Sequence, residues 1–139
     1  MEKIRLHLKN DIGDLGKMIK ELDRISNLWG LSMKDTMNIN LLLEEIVTNI
    51  VFYAYDDEKD HSIVLSFEKI GNQIRIEVKD DGKPFNILEA REPDIEGKSL
   101  NERKIGGLGI HFVRHFSDEI HYDRKNDENI LTIIKLIQS

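Results

Sequence analysis

A two-layer α/β sandwich of the α+β kind, with helices on one face of a mixed, mostly antiparallel sheet, is the architecture this sequence predicts. Short segments of alternating apolar and polar residues read as strands, and longer segments carry apolar residues at helical spacing. Their order, strand-helix-helix-strand-strand-loop-helix-strand-strand, lacks the β-α-β alternation of a parallel doubly wound sheet.

The first strand runs from Lys3 to Lys9, with Ile4, Leu6 and Leu8 on one side and charged or imidazole groups on the other. Asn10 and Asp11 can cap a helix that continues to about Trp29, with Leu15, Ile19, Leu22 and Ile25 (or Ser26) at helical spacing and Gly30 as its end. Ser32 and Asp35 resemble a capping box for a longer helix reaching about Tyr55. Ile39, Leu42, Leu43, Ile46, Ile50 and Tyr53 form its apolar stripe. Ile63, Leu65 and Phe67 then alternate in one strand and Ile74, Ile76 and Val78 in the next, with Gly71-Asn72 as the hairpin turn between them. From about Lys83 to Ile105 the pattern is lost. A loop of that length inside a compact domain reads as a lid, with one helical turn near Leu88. A glycine-rich run leads into a helix carrying Ile110, Val113 and Phe116. Two strands, Glu119 to Arg124 and Ile130 to Ile137, close the chain.

The 139 residues suit one domain spanning 1–139, with neither repeat nor linker. A net charge of −6 argues against a general nucleic-acid binder or a partner of anionic membranes. With no cysteine, disulfides, thiolate metal sites and a cysteine nucleophile are excluded. The same absence, with no signal-like or membrane-spanning apolar run, gives a cytoplasmic expectation.

Asp80 is the most informative residue. It shares parity with Ile74, Ile76 and Val78, so it continues the inward series, where a carboxylate needs donors to offset its lost hydration. The alternative is a turn-forming aspartate ahead of Gly82. Asp81 points the other way and reads as surface charge. Glu45 and Asn49 lie four apart on the long helix, hence on one face, where carboxylate and amide oxygen can hold water and a hard cation. The alternative is a pair of flank residues without a role. The run Ile105-Gly106-Gly107-Leu108-Gly109-Ile110 precedes a helix, and a helix start offers free N–H groups to an anion. It is neither a P-loop nor a dinucleotide fingerprint. His111 and His115 have metal-pair spacing without a third ligand, and read as surface or core-edge residues. Trp29 and the methionines read as packing residues, and Arg103 and Lys104 as solvated loop charges, the alternative being a reach from the lid to a polyphosphate.

In combination these segments resemble the ATP-binding family shared by gyrase-type ATPases, Hsp90 chaperones, histidine kinases and MutL. Glu44-Glu45-Ile46-Val47-Thr48-Asn49 resembles its N box, Asp80-Asp81-Gly82 its first glycine box and Gly107-Leu108-Gly109 its second. Within that family the chain is most similar to stand-alone anti-sigma-factor serine/threonine kinases. Glu45–Asn49, Tyr53-Ala54-Tyr55-Asp56, Asp80-Asp81-Gly82-Lys83-Pro84-Phe85 and Ile105–His111 carry that likeness.

The resemblance implies a Bergerat-type fold that binds ATP between the helical layer and the lid. It also implies roles for individual residues. Glu45 would be the general base and Asn49 a ligand of Mg²⁺. Asp80 would accept from the adenine amino group, and Gly82 would let the base approach. Gly107, Leu108 and Gly109 would cradle the phosphates. The implied partners are a STAS-domain anti-anti-sigma protein, which would be the substrate, and a sigma factor or similar regulator, with a homodimer formed through the N-terminal strand or the sheet edge. Pro84 stands where the first box often has a second glycine, and Asn129-Ile130 where the family has Gly-Thr. An ATP-dependent binding module without turnover is the alternative function. A detached histidine-kinase domain fits poorly, since only one strand and one helix precede the long helix.

Overall fold

The computed structural model describes residues 3–89, 113 and 115–137. Five strands, β1 (Lys3–Lys9), β2 (Ser62–Ile70), β3 (Gln73–Asp80), β4 (Glu119–Lys125) and β5 (Glu128–Leu136), form one sheet in the order β1-β2-β3-β5-β4. All four pairings are antiparallel, the extreme of the mostly antiparallel sheet expected. Helices α1 (Leu15–Trp29) and α2 (Met33–Tyr53) connect β1 to β2 and share one core with the sheet.

Side-chain parity decides which face is covered. Ile4, Phe67, Ile76, Ile133 and Ile120 form one row across the five strands, and Leu6, Leu65, Val78, Leu131 and Tyr122 the next. Both rows turn inward, and each fully buried large side chain contributes about 1.5–3 kcal/mol. Met18, Leu22 and Ile25 of α1 and Ile39, Leu42, Leu43, Ile46, Val47 and Ile50 of α2 meet them. Met18 rather than Ile19 is the inner residue of its turn, so that methionine does pack. Met33 and Met37 are exposed, which corrects the packing expected of them.

Local chemistry fixes the element ends. Asp11 accepts from Gly13 N and caps a short 3-10 turn, Ile12–Asp14, before α1 begins. Gly30 ends α1 with φ +66°, a left-handed cap that favours glycine. Ser32 Oγ accepts from Asp35 N at 3.0 Å and starts α2, which stops at Tyr53, two residues short of the expected end. The turn near Leu88 is a 3-10 helix, Ile87–Glu89.

The closing hairpin is tighter than expected. Asn126 and Asp127 both take positive φ, 53° and 62°, and form a two-residue turn. As a result β5 begins at Glu128, not Ile130, and Asn129 lies inside the sheet opposite Asp80.

Candidate functional site

Asp80 is the last residue of β3, and its inward parity is as the sequence requires: it is 4% exposed. In register it completes a third inward row, Leu8, Ile63, Asp80, Asn129 and Arg124. The carboxylate is met by donors. Oδ1 accepts from Gly82 N at 3.0 Å and from Asn129 Nδ2 at 2.9 Å. Burial nevertheless pushes its pKa above the ordinary carboxylate value, with the Asn129 and Gly82 hydrogen bonds opposing that shift. Asp80 and Asn129 line a small, mostly apolar cleft, partly open to solvent, with Ile46, Ile50, Val78 and Phe85. An apolar cleft with few polar groups is what a planar heterocycle requires.

Two of the motifs close on each other along one edge of this cavity. Lys83 N donates to Ala54 O at 2.8 Å, Lys83 Nζ lies 3.0 Å from Asp56 Oδ1, and the Tyr53 and Phe85 rings are 6.4 Å apart. Gly82 is the tightest point of this seam. A Cβ there would stand 2.5 Å from Ala54 O and 2.6 Å from Ala54 Cβ. The close approach that Gly82 visibly permits is therefore to the end of α2, a packing role that the sequence pattern does not reveal.

Glu45 and Asn49 are brought together as expected. Asn49 Nδ2 donates to both the backbone oxygen and Oε1 of Glu45, each at 2.8 Å, and Asn49 is buried. The bond turns the amide nitrogen towards Glu45, so the oxygen is the atom of Asn49 with the chemistry for a hard cation. Nearby charge is felt at Tyr53, whose pKa is raised by burial and then by Glu45. No cluster of three or more His, Cys, Asp or Glu residues suited to a metal occurs among the described residues. A cation here would depend on Asn49, water and oxygens of a ligand, a donor set typical of Mg²⁺.

Asp81 is exposed, as its parity requires, but it is not merely solvated. His61 Nδ1 lies 3.2 Å from Asp81 Oδ1, His61 Nε2 lies 2.7 Å from Asp57 Oδ1, and Tyr55 stacks on the imidazole with centroids 4.2 Å apart. The Asp57 hydrogen bond is the main cause of a raised His61 pKa, and it lowers that of Asp57 in turn. Gly107, Leu108, Gly109, Arg103, Lys104 and His111 lie outside the described residues. His115 is exposed and meets Phe116 edge-on.

Asn129, noted in the sequence only as standing where the family has Gly-Thr, has a bonding role that sequence reasoning missed. Its Nδ2 also donates to Lys83 O at 2.8 Å, while its Oδ1 accepts from Phe85 N at 3.1 Å and from the Tyr122 hydroxyl. Arg124 Nη1, in the same row, donates to Gly82 O at 2.7 Å. The available signal was Asn126-Asp127, a pair that tolerates left-handed backbone and so brings Asn129 into the strand.

Comparison with known proteins identifies the family and the fold. The family model for the histidine kinase-like ATPase domain matches residues 8–135. The serine-protein kinase RsbW of Listeria innocua is 28% identical over 130 residues, covering 88% of this chain and 81% of its own. The RsbW of Halalkalibacterium halodurans is 30% identical over 118 residues, covering 82% and 70%. The serine/threonine-protein kinase BtrW of Bordetella bronchiseptica is 26% identical over 105 residues, covering 76% and 72%. Among solved structures, the RsbU and RsbW domains of Rv1364c from Mycobacterium tuberculosis superpose with a TM-score of 0.71 at 15% identity. That match covers 99% of this chain and 33% of the larger one, and it speaks for the fold alone. A buried aspartate ending an inward row, a Glu-Asn pair on the facing helix and matches of this extent lead to one assignment: the chain belongs to the histidine kinase-like ATPase domain family, among its RsbW-type serine-protein kinases.

Proposed function

We propose that this protein binds ATP in the Asp80 cavity and transfers its γ-phosphoryl group to a serine or threonine of a STAS-domain anti-anti-sigma protein. The observation that carries the reading is Asp80 itself. A buried carboxylate lining an apolar cleft, with both protein donors on one oxygen, is suited to accept from an amino group on a flat ring. The Glu45–Asn49 pair supplies the other end of the site. Glu45 takes the proton of the attacking hydroxyl, the new bond forms between that oxygen and the γ-phosphorus, and ADP leaves. Mg²⁺, when bound through Asn49, neutralises phosphate charge. Gly107, Leu108 and Gly109 complete the phosphate cradle in this reading.

The wider role is partner switching, in which a sigma factor or similar regulator is the second client and the chain acts as an anti-sigma factor in the cytoplasm. No helix among the described residues is long and apolar enough to cross a membrane. Among the described residues β1 is an edge strand paired with β2 alone, and a homodimer would form along it. The test is transfer of radiolabel from ATP with Mg²⁺ to a STAS protein encoded nearby. Transfer that disappears in Glu45→Ala with ATP binding retained supports the kinase. ATP binding with no transfer by the wild type rejects it in favour of an ATP-dependent binding module.

A further inference from the structure

Asn129 uses every hydrogen-bonding position of its amide within the protein. A primary amide offers two donors and two acceptor positions. Here the donors go to Asp80 Oδ1 and Lys83 O, and the acceptor positions to Phe85 N and the Tyr122 hydroxyl. The residue is 4% exposed. It therefore ties three successive parts of the first box, residues 80, 83 and 85, to the β4–β5 hairpin, and nothing of its amide is left over for a ligand.

The convergence on Asp80 is asymmetric. Gly82 N and Asn129 Nδ2 both donate to Oδ1, which leaves Oδ2 as the acceptor for a group in the cavity. We propose that Asn129 is the positioning residue of base recognition: it fixes the Asp80 carboxylate so that Oδ2 is presented as an acceptor to an exocyclic amino group, without itself touching the nucleotide. The inference rests on the reading of Asp80 as the contact to the base. Its consequence is a choice between purines. An ionised carboxylate accepts from the amino group of adenine, whereas a protonated one can donate to the carbonyl oxygen of hypoxanthine.

The surroundings make that choice depend on Asn129. Burial favours the neutral acid, and the Asn129 hydrogen bond is the foremost opposing influence, ahead of Gly82 N. Asp81, the next residue along the chain, also favours the neutral form, and Arg124 on β4 opposes it. Tyr55, beyond the end of α2, feels the Asp80 charge, and on the β2 side the neighbour is the apolar Ile63. Tyr122, one row away, is bonded to Asn129, and the Lys83 ammonium is turned towards Asp56.

The test is calorimetric titration of ADP and of inosine diphosphate, from pH 5.5 to 8.5, on the full chain and on Asn129→Leu. In the wild type, ADP is expected to be preferred throughout. In Asn129→Leu the loss of ADP affinity should deepen as pH falls, by at least tenfold between the ends of the range, and the preference over inosine diphosphate should narrow with it. An equal loss at every pH with an unchanged preference marks a merely structural role and overturns the inference. Asn129→Asp retains acceptors for Phe85 N and Tyr122, so it serves if the leucine variant does not fold. Its two carboxylates would share one proton, and its ADP affinity should fall as pH rises. A flat profile overturns the inference. On the wild type alone, the two Asn129 side-chain amide protons should stay bonded to Asp80 Oδ1 and Lys83 O when ADP is added, and release or transfer to the ligand of the one on Asp80 also overturns it. A wild type that binds neither nucleotide defeats the reading of the site itself, which is a separate failure.

Discussion

Asp80 and Asp81 are adjacent in the chain yet stand in opposite physical situations. Asp80 is 4% exposed, and both of its protein donors, together with Arg124 on Gly82 O, are anchored in the sheet or the tight turn after it. The Asp81 side chain is 53% exposed and shares His61 with Asp57 on the surface. Burial raises the pKa of the first, whereas the second belongs to a cluster in which a histidine is stabilised in its charged form. One residue of strand register thus divides a strand end into a buried carboxylate lining a cleft and a surface clamp. A hydrogen bond matters most where water cannot replace it.

The sharpest way to break this contrast is Asp80→Asn. The variant keeps an oxygen for Gly82 N and Asn129 but replaces the charged acceptor. ADP affinity should fall roughly 100-fold, the scale of about 3 kcal/mol for a hydrogen bond to a charged group. Stability of the nucleotide-free protein should be unchanged or higher at pH 7. The sign follows from the raised pKa: burying the charge costs stability above the unfolded value of 3.8, and the cost is relieved as pH falls through the raised folded value. Calorimetry and thermal unfolding read the two effects separately, and a parallel loss of both would remove the distinction drawn here.

Next in size is Gly82→Ala, which places a methyl group against Ala54 O and Cβ. It should lower stability by about 1–3 kcal/mol, the usual cost of overpacking, as read by denaturant unfolding. An unaffected midpoint would mean that the seam between the two motifs is not close-packed.

The surface cluster should respond less, and with a pH dependence. His61 has a raised pKa, so its stabilising contribution is fully present below the unfolded value of 6.5 and lost as pH rises through the folded value. The stability difference between wild type and His61→Gln should accordingly shrink between pH 5 and pH 8. A difference that grows over that range would contradict the assignment. The smallest effect is expected at Lys83, whose pairing with Asp56 is exposed on both sides. Lys83→Ala should change stability by less than about 0.5 kcal/mol, with ADP affinity as the control.

The elements legible in the sequence were those with a local cause. Alternation in β1, β2 and β3, the apolar stripe of α2, the Gly30 cap and the Ser32 cap each depend on residues a few positions apart. The inward position of Asp80 and the pairing of Glu45 with Asn49 were legible for the same reason, since strand parity and helical periodicity carry over to a polar residue. The last strand was displaced by two residues at its start, because an Asn-Asp turn gives a weaker local signal than glycine.

By itself, then, the sequence determined which faces of its strands and helices are apolar and which carboxylate breaks the inward series. The tertiary structure decided who meets that carboxylate. Asn129 reaches Asp80 across a ladder between β3 and β5, and Ala54 reaches Gly82 from the end of a helix. Such encounters join residues far apart along the chain. Their register is set by the packing of the whole sheet against α1 and α2, and no local spacing encodes it.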